Sequence, residues 1–176
     1  MVDLSPVLMY NWSSFGVIMK RLIALIIVAT AGYSFAQPKS QGAIVPDANM
    51  ISLMSEAKRL MRVKDDIPLP EIYPVTLEYL KSMICSSDQY CPVSAVYHNN
   101  KIYYRQDLDF NSPITKSTFV HEFIHHIQAN TGFRAVNCDI WYSNEKEAYR
   151  LQAKYLRNNN QDDGFVREAL RIIKCP

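Results

Sequence analysis

The sequence contains little glycine and almost no net charge, and both shortages exclude classes of protein. Five glycines in 176 residues are too few for a collagen-like chain or a glycine-rich disordered one. Lys and Arg number 19 against 17 Asp and Glu, a net charge of +2, and the basic residues are scattered. We therefore expect no nucleic-acid partner. What remains is a globular chain with 48% hydrophobic residues, long enough for one domain and too short for two of comfortable size.

The N-terminal apolar run is too short to be a comfortable membrane span, which needs about 20 residues. It extends from Leu22 to Ala31, follows the basic pair Lys20-Arg21, and precedes small residues at the −3 and −1 positions of a cleavage site that ends at Ala36. This pattern predicts a secretory signal peptide over residues 19–36. We therefore expect a secreted or periplasmic protein with no stable membrane span after cleavage.

The residues before this segment are predicted to be an upstream extension. Because Met19 stands directly before Lys20, translation is expected to begin there, which leaves residues 1–18 outside the protein. The alternative that stays open is an uncleaved signal anchor with residues 1–18 on the cytoplasmic side. Residues 37–176 are predicted to form a single domain.

The cysteines include none of the close C-x-x-C pairs that are typical of structural zinc sites. The four in the exported part are Cys85, Cys91, Cys138 and Cys175. An even number in an oxidising compartment predicts two disulfides. The sequence allows three connectivities, of which we expect Cys85–Cys91 and Cys138–Cys175.

The periodicity of apolar residues predicts an α+β domain. Turn residues separate the helical patterns from two β-rich runs that form a hairpin signal around His98, which is expected to be a solvated turn residue. The Ser112-Pro113 pair predicts the start of the helix over 113–130, and Gly132 predicts its end. The predicted elements are helices over 51–63, 76–85, 113–130, 143–158 and 164–173, extended segments over 71–76, 93–97 and 101–105, and a loop over 133–142.

The helix predicted over 113–130 carries the pattern H-E-x-x-H at His121, Glu122 and His125. Residues four apart on an α-helix lie on one face, so both imidazoles can reach one zinc ion. Glu122, rotated by about 100° from His121, lies beside that face and is expected to act as general base on a zinc-bound water. This motif predicts a zinc-dependent hydrolase.

The rest of this helix supports that interpretation. Val120, Phe123, Ile124 and Ile127 form a continuous apolar stripe, and the two histidines lie on the neighbouring face together with Gln128. They are therefore expected at a seam where another element packs. The plain alternative is a polar helix with coincidental histidines. The adjacent His126 is expected to point away from this seam and to be structural.

A catalytic zinc site usually has three protein ligands, and the third is predicted on the next helix. Gln128 and Thr131 stand where metzincins carry their further conserved residues, which disfavours that arrangement. Two glutamates compete for the place. Glu145 shares its helix face with apolar and aromatic residues, whereas Glu147 shares its face with Arg150 and other polar residues. Glu145 is therefore the predicted ligand.

H-E-x-x-H followed twenty residues later by Asn144-Glu145 resembles the gluzincins, the thermolysin-like zinc metallopeptidases. The resemblance covers about residues 93–158 and implies a minimal zincin-like domain with Zn²⁺ on His121, His125 and Glu145. It also implies a peptide or protein substrate, bound in extended form along a strand before the active helix. The run 101–105 matches that strand by its order in the chain.

One position departs from the family pattern. Many gluzincins place Asp four residues after the ligand Glu, where it orients a zinc histidine, and this chain has Tyr149 there. Tyr149 itself or Asp139 is a candidate substitute. Tyr142 and Tyr149 are also candidates to stabilise the oxyanion of a tetrahedral intermediate, although packing is the simpler role for both.

The sequence therefore predicts zinc-dependent peptide-bond hydrolysis in the periplasm or outside the cell, with Glu122 as base and residues 37–176 as the catalytic domain. In a rival hypothesis the chain binds zinc but catalyses no reaction, and is a catalytically inactive, zinc-stabilised envelope or binding protein. A third is a metal-free structural domain held together by its disulfides.

Overall fold

Five helices and one three-stranded sheet make up the part of the chain that the computed structural model describes, residues 42–85 and 91–173. All of these residues belong to one compact unit. The elements are α1 (Ala48–Met61), β1 (Glu71–Val75), α2 (Leu77–Ile84), β2 (Ala95–His98), β3 (Lys101–Arg105), α3 (Pro113–Asn130), α4 (Cys138–Asn158) and α5 (Gly164–Ile172). The α+β class is confirmed. The predicted signal peptide, its upstream extension and the cleavage site after Ala36 lie outside the described residues.

The sheet places β3 in the middle, parallel to β1 and antiparallel to β2. Asn99 and Asn100 form the turn of the β2–β3 hairpin with φ of 49° and 63°, a left-handed conformation that asparagine tolerates better than most residues. His98 ends β2 and is exposed, in agreement with its predicted solvated position. The expectation that the run 101–105 matches the strand that binds an extended substrate by edge pairing is wrong, because β3 is paired on both sides.

Helix α3 lies at the centre of the packing. The predicted apolar stripe is fully buried, and α3 packs against α1, α4 and β2. Burying each such side chain contributes about 1.5–3 kcal/mol before opposing terms, so α3 is a rigid base for the residues on its other face. It begins at Pro113 after Ser112, as predicted. The buried residues of this face are the predicted stripe, Val120, Phe123, Ile124 and Ile127, together with Phe119.

Helix α4 begins five residues earlier than the sequence indicated. Its N-cap is Asn137, whose side-chain oxygen accepts a hydrogen bond from the Ile140 N–H at 2.9 Å. This cap satisfies a backbone donor of the first turn, so the second half of the predicted loop over 133–142 is helical. Cys138, Asp139 and Tyr142 consequently lie on α4.

The Cys85–Cys91 disulfide is confirmed. Cys138 is also disulfide-bonded, whereas Cys175, its expected partner, lies outside the described residues. No free cysteine occurs in residues 42–85 and 91–173. Among the helices of those residues, none has the length and apolar character needed to cross a membrane.

Candidate metal centre

His121 and His125 lie one turn apart on the face of α3 that contacts α4. Their ring centroids are 4.7 Å apart, and the two Nε2 atoms are separated by 3.0 Å. The backbone of both residues is fixed by the buried stripe on the neighbouring face of the helix. The pair is therefore directed into the seam between the two helices, as the sequence predicted.

The Glu145 carboxylate on α4 lies close to the two histidine Nε2 atoms. One of its carboxylate oxygens lies 3.2 Å from His125 Nε2, and the other lies 3.5 Å from His121 Nε2. Ligand atoms about 2.0–2.1 Å from a tetrahedral zinc ion are separated from one another by about 3.3 Å. The three separations thus fit a single small ion, and these three residues form a group that could hold a metal.

Both histidines bind a glutamine through the ring nitrogen that faces away from this point. His121 Nδ1 lies 3.1 Å from Gln152 Oε1, and His125 Nδ1 lies 2.9 Å from Gln128 Oε1. Because a glutamine oxygen is an acceptor, each Nδ1 carries a proton, and in the neutral imidazole each Nε2 is left with its lone pair. Sequence reasoning missed this role for both glutamines. The sequence carried a weak indication for Gln152, which follows Glu145 by two helical turns and therefore lies on the same face of the helix.

Glu122 is buried on the side of α3 that faces the sheet, with 6% of its surface exposed. Its carboxylate accepts a hydrogen bond from the backbone N–H of Tyr97 in β2. Burial raises the pKa of Glu122, while the positive charges of His121 and His125 oppose that shift. A carboxylate with a raised pKa is a better proton acceptor, which suits a general base.

The charges of the three metal-facing groups are strongly coupled. Burial lowers the pKa of His125, but the hydrogen bond and the charge of Glu145, together with the charge of Glu122, outweigh burial and raise it to about 9. Burial raises the pKa of Glu145, yet the hydrogen bonds and charges of both histidines hold it well below its usual range. In the metal-free protein at neutral pH, His125 is therefore protonated and Glu145 is ionised.

This coupling predicts a pH dependence of metal binding. A metal ion binds neutral imidazole, so its binding must displace the His125 proton at any pH below about 9. Affinity for a divalent ion such as zinc should rise by about tenfold per pH unit up to that point and level off above it. Competition with a chelator across the pH range measures this. An affinity that stays flat below that pH would show that no ligand proton is displaced.

The other residues considered from the sequence have distinct positions. Tyr149 packs on His121 with ring centroids 4.4 Å apart, and burial together with the charges of Glu145 and Glu122 raises its pKa to about 12. The Tyr142 ring lies under the ammonium of Lys146 at 4.9 Å. Of the two tyrosines, Tyr149 is the one whose ring contacts a metal-facing histidine.

Asp139 and His126 take no part in the cluster. Asp139 is exposed in the first turn of α4 and lines a surface cavity with Phe133 and Ser143. His126 is buried and donates from Nε2 to the Pro68 carbonyl at 2.7 Å, so it ties α3 to the segment before β1. Its predicted structural role agrees with this contact.

Two imidazole nitrogens and one carboxylate, held on two packed helices beside a buried glutamate, can bind a metal ion and accept a proton next to it. Comparisons of the chain with protein-family models, with curated proteins and with solved structures gave no match. The interpretation of the site therefore depends on its own residues.

Proposed function

We propose that the chain is a zinc-dependent peptidase of minimal gluzincin type. The observation that carries the proposal is the convergence of His121, His125 and Glu145 within 4.8 Å of one another, with Glu122 buried beside them. Two histidines and a glutamate are a donor set that suits zinc and matches known catalytic zinc sites. The zincin-like arrangement of the domain is part of this proposal.

Each residue has a separate task in the proposed reaction. A bound zinc ion would supply Lewis acidity and lower the pKa of a water in its fourth position. Glu122 would take the proton of the attacking water and return it to the leaving amine. Tyr149, packed on His121, is the candidate to donate a hydrogen bond to the developing oxyanion.

Strand β2, and not β3, is the better candidate to bind an extended peptide substrate. The two-residue turn makes His98 and Lys101 a hydrogen-bonded pair, and the Arg105 N–H donates to the Ser94 carbonyl at 3.0 Å. Because the pairing alternates along an antiparallel ladder, the backbone groups of Ala95 and Tyr97 point away from β3. Tyr97 uses its N–H for Glu122, so this edge lies beside the proposed base.

The predicted export signal of residues 19–36 would place the proposed activity in the periplasm or outside the cell, on peptide or protein substrates. The disulfide between Cys85 and Cys91 supports an oxidising compartment, since such bonds are rare in the cytosol. Residues 37–176 would then be the mature catalytic domain.

A second candidate is a zinc-stabilised envelope or binding protein without turnover. The low exposure of the cluster favours it, because the side chains of His121, His125 and Glu145 are 9%, 15% and 17% exposed. A substrate carbonyl needs access to the metal, whereas a structural metal does not. Substitution of Glu122 distinguishes the two, because the proposed turnover needs Glu122 as base whereas zinc binding does not.

The first test of the proposal is the metal content of the purified chain. We expect about one zinc ion per chain, since the site offers three protein ligands of the right type. Elemental analysis after purification without chelators measures this, with the same analysis after chelation and zinc titration as control. A chain that neither contains nor takes up zinc would leave the metal-free structural domain as the better account.

A further inference from the structure

The two metal-facing histidines are held by neutral glutamine amides and not by carboxylates. We propose that Gln152 and Gln128 are positioning residues that lock His121 and His125 in the tautomer with Nδ1 protonated, so that both Nε2 lone pairs face the metal. This inference rests on the proposed metal site. Gln152 is 3% and Gln128 1% exposed, so neither amide can exchange its protein partner for bulk water.

The orientation of the Gln152 amide is set by a backbone carbonyl. Ser117 donates its single hydroxyl proton to the Ile114 carbonyl at 2.8 Å. The Ser117 oxygen must therefore accept, and it does so from Gln152 Nε2 at 3.1 Å. This leaves Gln152 Oε1 facing His121, whose Nδ1 must carry the proton that the oxygen accepts.

The orientation of the Gln128 amide is set in the same way by acceptors on α4. Its Nε2 donates to the Asn144 carbonyl at 3.1 Å and to the Glu147 carboxylate at 3.0 Å. A reversed amide would place its oxygen against these two acceptors, which is unfavourable in a buried position. Gln128 Oε1 therefore faces His125 Nδ1 and fixes its proton there.

The pair also explains how the site tolerates Tyr149 where gluzincins carry Asp. Gln152 orients His121 from two turns beyond Glu145, so no carboxylate is needed at position 149. An amide orients a histidine without adding negative charge, whereas a carboxylate also raises the basicity of the ligand. The site thus keeps Glu145 as the one anionic ligand among the three residues.

The test uses the full chain and zinc alone, with Gln replaced by Met to preserve side-chain length while removing the hydrogen bonds. Q152M and Q128M should each weaken zinc binding by about 10–100-fold, measured by chelator competition. Q152E should restore most of the affinity, because its carboxylate accepts the same proton from His121 and the Ser117 hydroxyl can turn from the Ile114 carbonyl to donate to the second oxygen. Q161M is the matched control, since Gln161 is exposed and its side-chain amide donates to the nearby Asn159 carbonyl, away from the site.

Long-range proton–nitrogen NMR spectra report which ring nitrogen of each histidine carries the proton. A merely structural role of the glutamines would not change this property. In the metal-free chain at alkaline pH, where both imidazoles are neutral, the wild type should show Nδ1–H on both histidines, and Q152M should lose that single tautomer at His121 alone. Zinc affinities of Q152M and Q128M equal to that of Q161M, or His121 protonated on Nε2, would overturn the inference. Because these spectra are read without zinc, failure of the metal site and failure of the glutamine role are distinguishable.

Discussion

Replacing Glu122 by glutamine should abolish peptide hydrolysis while leaving zinc bound. The substitution removes the proton acceptor and keeps the shape of the side chain. Because the carboxylate accepts the Tyr97 N–H, a glutamine oxygen can take over that hydrogen bond without a buried donor being left unpaired. General-base catalysis contributes roughly 10²–10⁴-fold, so we expect E122Q to lose at least that much of the rate on a broad peptide library.

The measurement pairs turnover with elemental analysis of the same samples. E168Q is the matched control, because Glu168 lies exposed on α5 and pairs with the nearby Arg171. Its rate and zinc content should equal those of the wild type. Hydrolysis by E122Q at the wild-type rate would remove Glu122 from the mechanism. A wild-type chain that retains zinc and cleaves nothing in the library would favour the non-catalytic binding protein.

The part of the site that lies on one helix could be predicted from the sequence. Helical geometry alone places His121 and His125 on one face and the apolar stripe on the next. The inward face of α4 could be predicted in the same way, because Glu145 shares it with Tyr149 and Gln152. These are local consequences of a 3.6-residue period, and the structure brings the three metal-facing groups together as that period requires.

What could not be predicted depends on contacts between elements. The order of strands in the sheet is set by tertiary packing, so the sequence could not show that β3 is central and that β2 carries the open edge. The start of α4 is a different case, because its cap is local: the Ile140 hydrogen bond to Asn137 begins the helix five residues before the predicted start at Ser143. The glutamine contacts join residues 31 positions apart for His121 and Gln152, which no local pattern reports.

Replacing Glu145 by glutamine should remove zinc from the chain. It exchanges the anionic ligand for a neutral amide, and the loss should exceed the roughly 10–100-fold that loss of an outer hydrogen-bond partner costs. It should also lower the pKa of His125, because the hydrogen bond and charge of Glu145 raise it. The pH at which zinc affinity levels off should therefore fall below about 9.

The matched control is E147Q on the same helix. Glu147 is exposed and accepts a hydrogen bond from Gln128 at 3.0 Å, which a glutamine oxygen can also accept. Zinc content and affinity should thus stay near those of the wild type in E147Q and fall in E145Q. The reverse order would place the third ligand on the other face of α4, about half a helical turn away, and would remove Glu145 from the proposed site while leaving Glu122 as its base.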